Sequence, residues 1–127
     1  MSATSFTEYV RNIEAALDEV IGTGEAVLRD IKVDHRSAVI GFLAGMLQFE
    51  NGSQLYFREY VDVTLSEPRL MYAYHYQDVN DELIFRYDNA LHRPPLSKPE
   101  HKHTSDNVEI SDAPTIAQVL HEILKSY

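Results

Sequence analysis

With 127 residues, 44% of them hydrophobic and 24% charged, the chain can bury a core of its own and is not disordered as a whole. The absence of cysteine excludes a disulfide framework, a thiolate nucleophile and any cysteine-based zinc site. A net charge of −9 opposes broad electrostatic attraction to nucleic acid or an anionic membrane. The opening MSATSFTEYVRN has no apolar run after a basic start, and the apolar stretch 38–47 is too short to span a bilayer. These features predict a single cytoplasmic domain over residues 1–127.

The first element is a helix over 5–21. Ser5 followed by Glu8 fits a capping box, Phe6, Tyr9, Val10, Ile13, Leu17, Val20 and Ile21 recur at helical spacing, and Gly22 and Gly24 end the run. Short runs rich in β-branched and aromatic residues follow, which predict strands near 26–33, 38–49, 53–63, 70–77 and 82–89. Turns are expected at 34–37, 50–53, 66–68 and 78–81, with Asn51-Gly52 the clearest because both residues tolerate positive φ. Gly41 and Gly45 in the apolar second strand mark bulges or close packing. A loop over 90–110 and a helix over 112–125 complete the chain, the helix capped by Ser111 or Asp112 with Pro114 in its first turn. The expected fold is α+β, a five-stranded antiparallel meander covered on one face by the N-terminal and C-terminal helices.

Strand parity divides the side chains between two faces. A tight turn at 78–81 pairs Tyr76 with Leu83, Tyr74 with Phe85 and Tyr72 with Tyr87 on the covered face. His75 beside Ile84, Ala73 beside Arg86 and Met71 beside Asp88 then lie on the open face. A turn around Ser66 and Glu67 sets Arg58 against His75 on that face and sends Glu59 to the covered one, at an energetic cost. Charge is uneven as well. Residues 86–103 carry four basic and two acidic groups plus three of the six histidines, one basic island in an acidic protein.

Three chemistries suit this island. His101-Lys102-His103 with Asp88, Glu100 or His92 offers ligands to zinc. A pair of histidines with Arg86 or Lys102 could run metal-free phosphoryl transfer on RNA, one imidazole taking a 2′-hydroxyl proton and the other protonating the leaving oxygen. Binding alone, through cations and stacking tyrosines, is the third. The expected catalytic group is His75, Arg86, Asp88, His101 and His103, with Arg58, Tyr87, Asn89, His92 and Lys102 as substrate-binding residues. No cofactor and no resident metal are expected. The chain has no P-loop, GxGxxG, HExxH or GxSxG motif.

The ordered blocks Tyr74-His75-Tyr76-Gln77-Asp78, Leu83-Ile84-Phe85-Arg86-Tyr87-Asp88-Asn89-Ala90 and His101-Lys102-His103, with His92, Pro94 and Pro99 between them, resemble the TumE family of toxins. The upstream Glu50-Asn51-Gly52-Ser53 with Leu55, Phe57 and Glu59, and the Pro114 helix, extend the resemblance from about Gly41 onward. It implies the toxin of a type II toxin–antitoxin pair, with a cognate antitoxin of helix-turn-helix type as partner. A metal-independent ribonuclease is the activity expected from the residues, and a non-catalytic module holding an anion or a partner protein is the alternative. Homo-oligomers are compatible with either.

Overall fold

The computed structural model describes residues 3–90 and 98–126. Helix α1 (Phe6–Gly22) starts at Ser5, whose hydroxyl accepts from Glu8 N at 3.1 Å. Its last turn closes at Thr23, and Gly24 follows at φ +80°. Glu8 does not complete the expected capping box, because its carboxylate accepts instead from the Thr4 hydroxyl. Phe6, Val10, Ile13, Leu17 and Val20 form the buried stripe of the helix.

Seven strands follow in a sheet whose spatial order is the chain order: β1 (Ala26–His35), β2 (Ile40–Phe49), β3 (Gln54–Asp62), β4 (Arg69–Gln77), β5 (Leu83–Asp88), β6 (His101–His103) and β7 (Val108–Ile110). Every neighbouring pair is antiparallel. The architecture is α+β as expected, but the sheet has two more strands than the five expected, both inside the segment assigned to a loop. Each is three residues long, too short for alternation to show. Their turn closes where Thr104 N donates to Asn107 O at 2.8 Å.

Helix α2 (Ile116–Lys125) begins later than expected. Its N-cap is Thr115, not Ser111 or Asp112, because Thr115 and Gln118 close a complete capping box: Gln118 N donates to the threonine hydroxyl and Thr115 N to the glutamine amide oxygen. Pro114 therefore precedes the helix, and its carbonyl accepts from Arg69. Both helices pack on the same sheet face. There Leu43, Leu47, Leu55, Phe57, Tyr74 and Phe85 meet the stripes of α1 and α2 in one core.

Gly41 and Gly45 lie on this covered face. A Cβ on Gly41 would sit 2.2 Å from the Phe6 ring, so glycine is what lets the first helical residue press against the strand. The register shift of the β1–β2 pair falls elsewhere, in β1 between Leu28 and Asp30.

The strand registers differ from expectation by two residues, which changes partners without changing faces. His75 faces Arg86, not Ile84, and Ala73 faces Asp88, not Arg86. The cause is a longer turn: Asp78 N donates to Glu82 O, the Asp78 carboxylate accepts from Asn80 N and Glu82 N, Asp81 takes φ +64°, and the ladder shifts at Tyr76/Gln77. Between β3 and β4 a shift at Tyr60/Val61 likewise sets Tyr56, not Arg58, against His75.

Candidate active site on the open sheet face

Two adjacent rows of side chains cross the open face. One runs Ala44, Arg58, Ala73, Asp88, His101 over β2 to β6, and the next runs Met46, Tyr56, His75, Arg86, His103. Because β6 pairs with β5, the His-x-His segment joins the strand-borne Arg86 and Asp88, and five expected catalytic residues meet on three neighbouring strands. Small residues form the floor at Ala44 and Ala73. A groove of about 580 Å³ opens over them, bordered by Asp30, Tyr56, Arg58, His75, Gln77 and Arg86.

Asp88 is the hub. Its Oδ1 lies 2.9 Å from His101 Nε2 and accepts from Ala90 N at 3.0 Å, while Oδ2 accepts from Arg86 Nε at 2.8 Å and lies 3.9 Å from His103 Nε2. Asp88 and His101 are almost fully buried, with 6% and 2% of their side-chain surface exposed, whereas His103 keeps 27%. The two imidazoles meet edge to face with centroids 4.7 Å apart. His101 Nδ1 donates to the Pro99 carbonyl at 2.6 Å, which fixes the orientation of its ring.

His75 sits half-buried beside this hub. Its Nε2 bonds the Gln77 amide oxygen at 3.0 Å, and Arg86 Nη1 approaches Nδ1 at 3.4 Å. Burial pushes its pKa down, Gln77 pulls the other way, and the Arg86 charge lowers it further, so the neutral ring is favoured. With Nε2 donating to Gln77, the lone pair lies on Nδ1. Arg58 is exposed in the neighbouring row and has no hydrogen bond or ion pair among the described residues.

Three expected binding residues stand apart. Tyr87 and Lys102 occupy the covered face, where the Tyr87 hydroxyl donates to Glu122 Oε1 at 2.6 Å and Lys102 Nζ to Oε2 at 3.0 Å. Lys102 also lies 5.0 Å over the Tyr87 ring, and the whole set ties β5 and β6 to α2. Asn89 serves the backbone, accepting from Tyr72 N and donating to Leu70 O. His92 falls outside the described residues. Tyr56, by contrast, had no assigned role, yet its exposed ring stands edge-on to His75 at 6.3 Å. Its position two residues before Arg58 on the same strand was the available signal.

With that geometry in view, one comparison with known proteins is decisive. A family model described as Toxin TumE matches residues 13–126, most of the chain. The chain belongs to the TumE toxin family. Curated proteins and solved structures gave no match. TumE membership implies a toxin of a toxin–antitoxin system and, with it, an antitoxin partner. The matched span contains every strand and α2. Among the described residues no helix is long and apolar enough to cross a membrane.

Proposed function

We propose that this TumE-family toxin arrests growth by cleaving RNA at the open sheet face without a metal. The observation that supports the reading is the row His75, Arg86, His103, in which two imidazoles flank one guanidinium on successive strands. Strand spacing puts the two histidine backbones about 10 Å apart, room for one phosphodiester between their side chains. Tyr56 gives a base a stacking surface at the groove's edge, and Arg58 adds a cation with no ion pair among the described residues.

The steps follow from those positions. A phosphate settles between Arg58 and Arg86, drawing Arg86 from the lone pair of His75 Nδ1. His75 takes the proton of the adjacent 2′-hydroxyl, and the 2′-oxygen bonds to phosphorus. The arginines balance charge gathering on the non-bridging oxygens. His103 Nε2 gives its proton to the departing 5′-oxygen, leaving a 2′,3′-cyclic phosphate and a 5′-hydroxyl. Asp88 positions Arg86 and both β6 histidines. An RNA substrate follows from this use of the 2′-hydroxyl, and the partner is a helix-turn-helix antitoxin.

The test is to incubate purified protein with total RNA in chelator and map the ends. Cyclic-phosphate ends, absent with His75→Ala, Arg86→Ala and His103→Ala, are expected. No cleavage by the wild type, with growth arrest still abolished by the same substitutions, would replace this reading with non-catalytic binding.

A further inference from the structure

Asp88, His101 and His103 form a constellation whose geometry goes beyond acid–base catalysis. One nitrogen of each imidazole and one carboxylate oxygen lie within 4.8 Å of one another. We infer that these three residues bind a divalent transition-metal ion of the zinc class.

The first argument is donor counting at His101. Its Nδ1 faces the Pro99 carbonyl, which can only accept, and its Nε2 faces Asp88 Oδ1, another acceptor, with 2% of the side chain exposed. A neutral imidazole carries one N–H and cannot serve both contacts. The Nε2–Oδ1 side therefore calls for a positive centre, which a proton or a metal ion can supply. His103 Nε2 points toward the same carboxylate from the solvent side, so a metal there gains a ligand that a proton would not use.

The second argument is the shell around the three. A histidine that ligates through Nε2 generally donates Nδ1–H to a carbonyl or carboxylate, and His101 does so to Pro99. The carboxylate is oriented in turn, Oδ1 by Ala90 N and Oδ2 by Arg86 Nε. His101 and His103 are two apart on one strand, so they share a face, and the register sets Asp88 opposite His101. Two ligands of a tetrahedral zinc lie about 3.4 Å apart, so the trio closes around an ion when its widest separation, at most 4.8 Å, shortens by about 1.4 Å, a movement shared between the Asp88 carboxylate and the more exposed His103. Two imidazole nitrogens and one carboxylate oxygen suit zinc, cobalt or nickel and disfavour magnesium and calcium, which want more oxygens. A water completes the set on the solvent side.

This inference concerns binding and does not depend on the ribonuclease reading. Chelator-stripped protein is titrated with zinc chloride by calorimetry, and with cobalt chloride by visible absorption. One equivalent of zinc, a cobalt spectrum of low-coordinate type and a rise in Tm with zinc are expected. His103→Gln, at a partly exposed position that spares the fold, is expected to weaken zinc at least about tenfold, and Asp88→Asn more. Absence of stoichiometric zinc, or unchanged affinity in both variants, overturns the site. Because zinc would occupy the Nε2 from which His103 gives its proton, added zinc should slow RNA cleavage. Faster cleavage with zinc would keep the metal site and remove the metal-independent mechanism.

Discussion

Among the described residues the sheet buries one carboxylate on each face, and the two are held in opposite ways. Glu59, on the covered face, accepts from two phenols, Tyr9 at Oε1 and Tyr74 at Oε2, the latter at 2.6 Å. Arg69 reaches the Tyr74 hydroxyl at 3.0 Å and not the carboxylate itself. Burial pushes the Glu59 pKa up, against the pull of the two tyrosines and Arg69. Asp88, on the open face, is met by a guanidinium and an imidazole, with a second imidazole close by. Neutral donors make a carboxyl group tolerable in a core. Ionisable donors instead concentrate charge and mobile protons, which a core does not need and a reaction does.

Substitutions at the two carboxylates should therefore part company. The largest effect is expected for Asp88→Ala, which strands Arg86 and His101 without their partner and should cost about 3–5 kcal/mol in urea denaturation as well as all growth arrest. A well-folded, toxic D88A protein would dissolve the contrast. Next comes His103→Ala, expected to lower RNA cleavage about 10²–10⁴-fold. Its stability should fall by no more than about 1 kcal/mol, the range for a partly exposed ion pair. Comparable losses of fold and function would make His103 a structural residue.

Glu59 tests the other side. Its folded pKa lies above the ordinary 4.5, so the folded state holds this proton more tightly than the unfolded chain. The stability that its neutral form contributes is complete below pH 4.5 and is lost as pH rises through the raised folded value. Glu59→Gln should flatten this decline while leaving toxicity intact, checked by denaturation midpoints across pH and by growth assay. The smallest effect is expected for Lys102→Ala, which removes a partly exposed ion pair with Glu122 worth about 0.2–1 kcal/mol. Undiminished growth arrest in K102A would place Lys102 with the scaffold; lost toxicity would extend the site to the covered face.

Much of the fold was legible because the long elements carry strong periodicity: the α1 stripe, five strands of six residues or more, and the α2 stripe all appear in the pattern. The faces were legible too, since a two-residue register slip preserves parity, so Arg58, His75, Arg86 and Asp88 fall on the expected side. What the pattern could not carry was turn chemistry. The Asp78–Glu82 turn and the shift at Tyr60/Val61 change which residues face one another, and neither leaves a hydrophobic signature. Strand β6 was hidden for a related reason: His-Lys-His has no apolar alternation, so its placement beside β5 follows only from long-range pairing. Lys102 was misplaced with it, because its direction depends on the face that β6 turns to α2. Glu59 looked like a cost only because Tyr9 lies fifty residues away in sequence, a separation that strand patterning does not bridge.

The chain-order arrangement of the sheet also bears on how the open face comes together during biosynthesis. A meander grows by adding each strand to the one before it, so a nascent chain can assemble the groove floor and its first cations while still tethered. The histidines of β6 follow the five long strands in the chain, and α2, whose Glu122 holds Lys102 in place, follows them. The groove and its arginines can thus form before the segment that sets His101 and His103 beside Asp88 has been made.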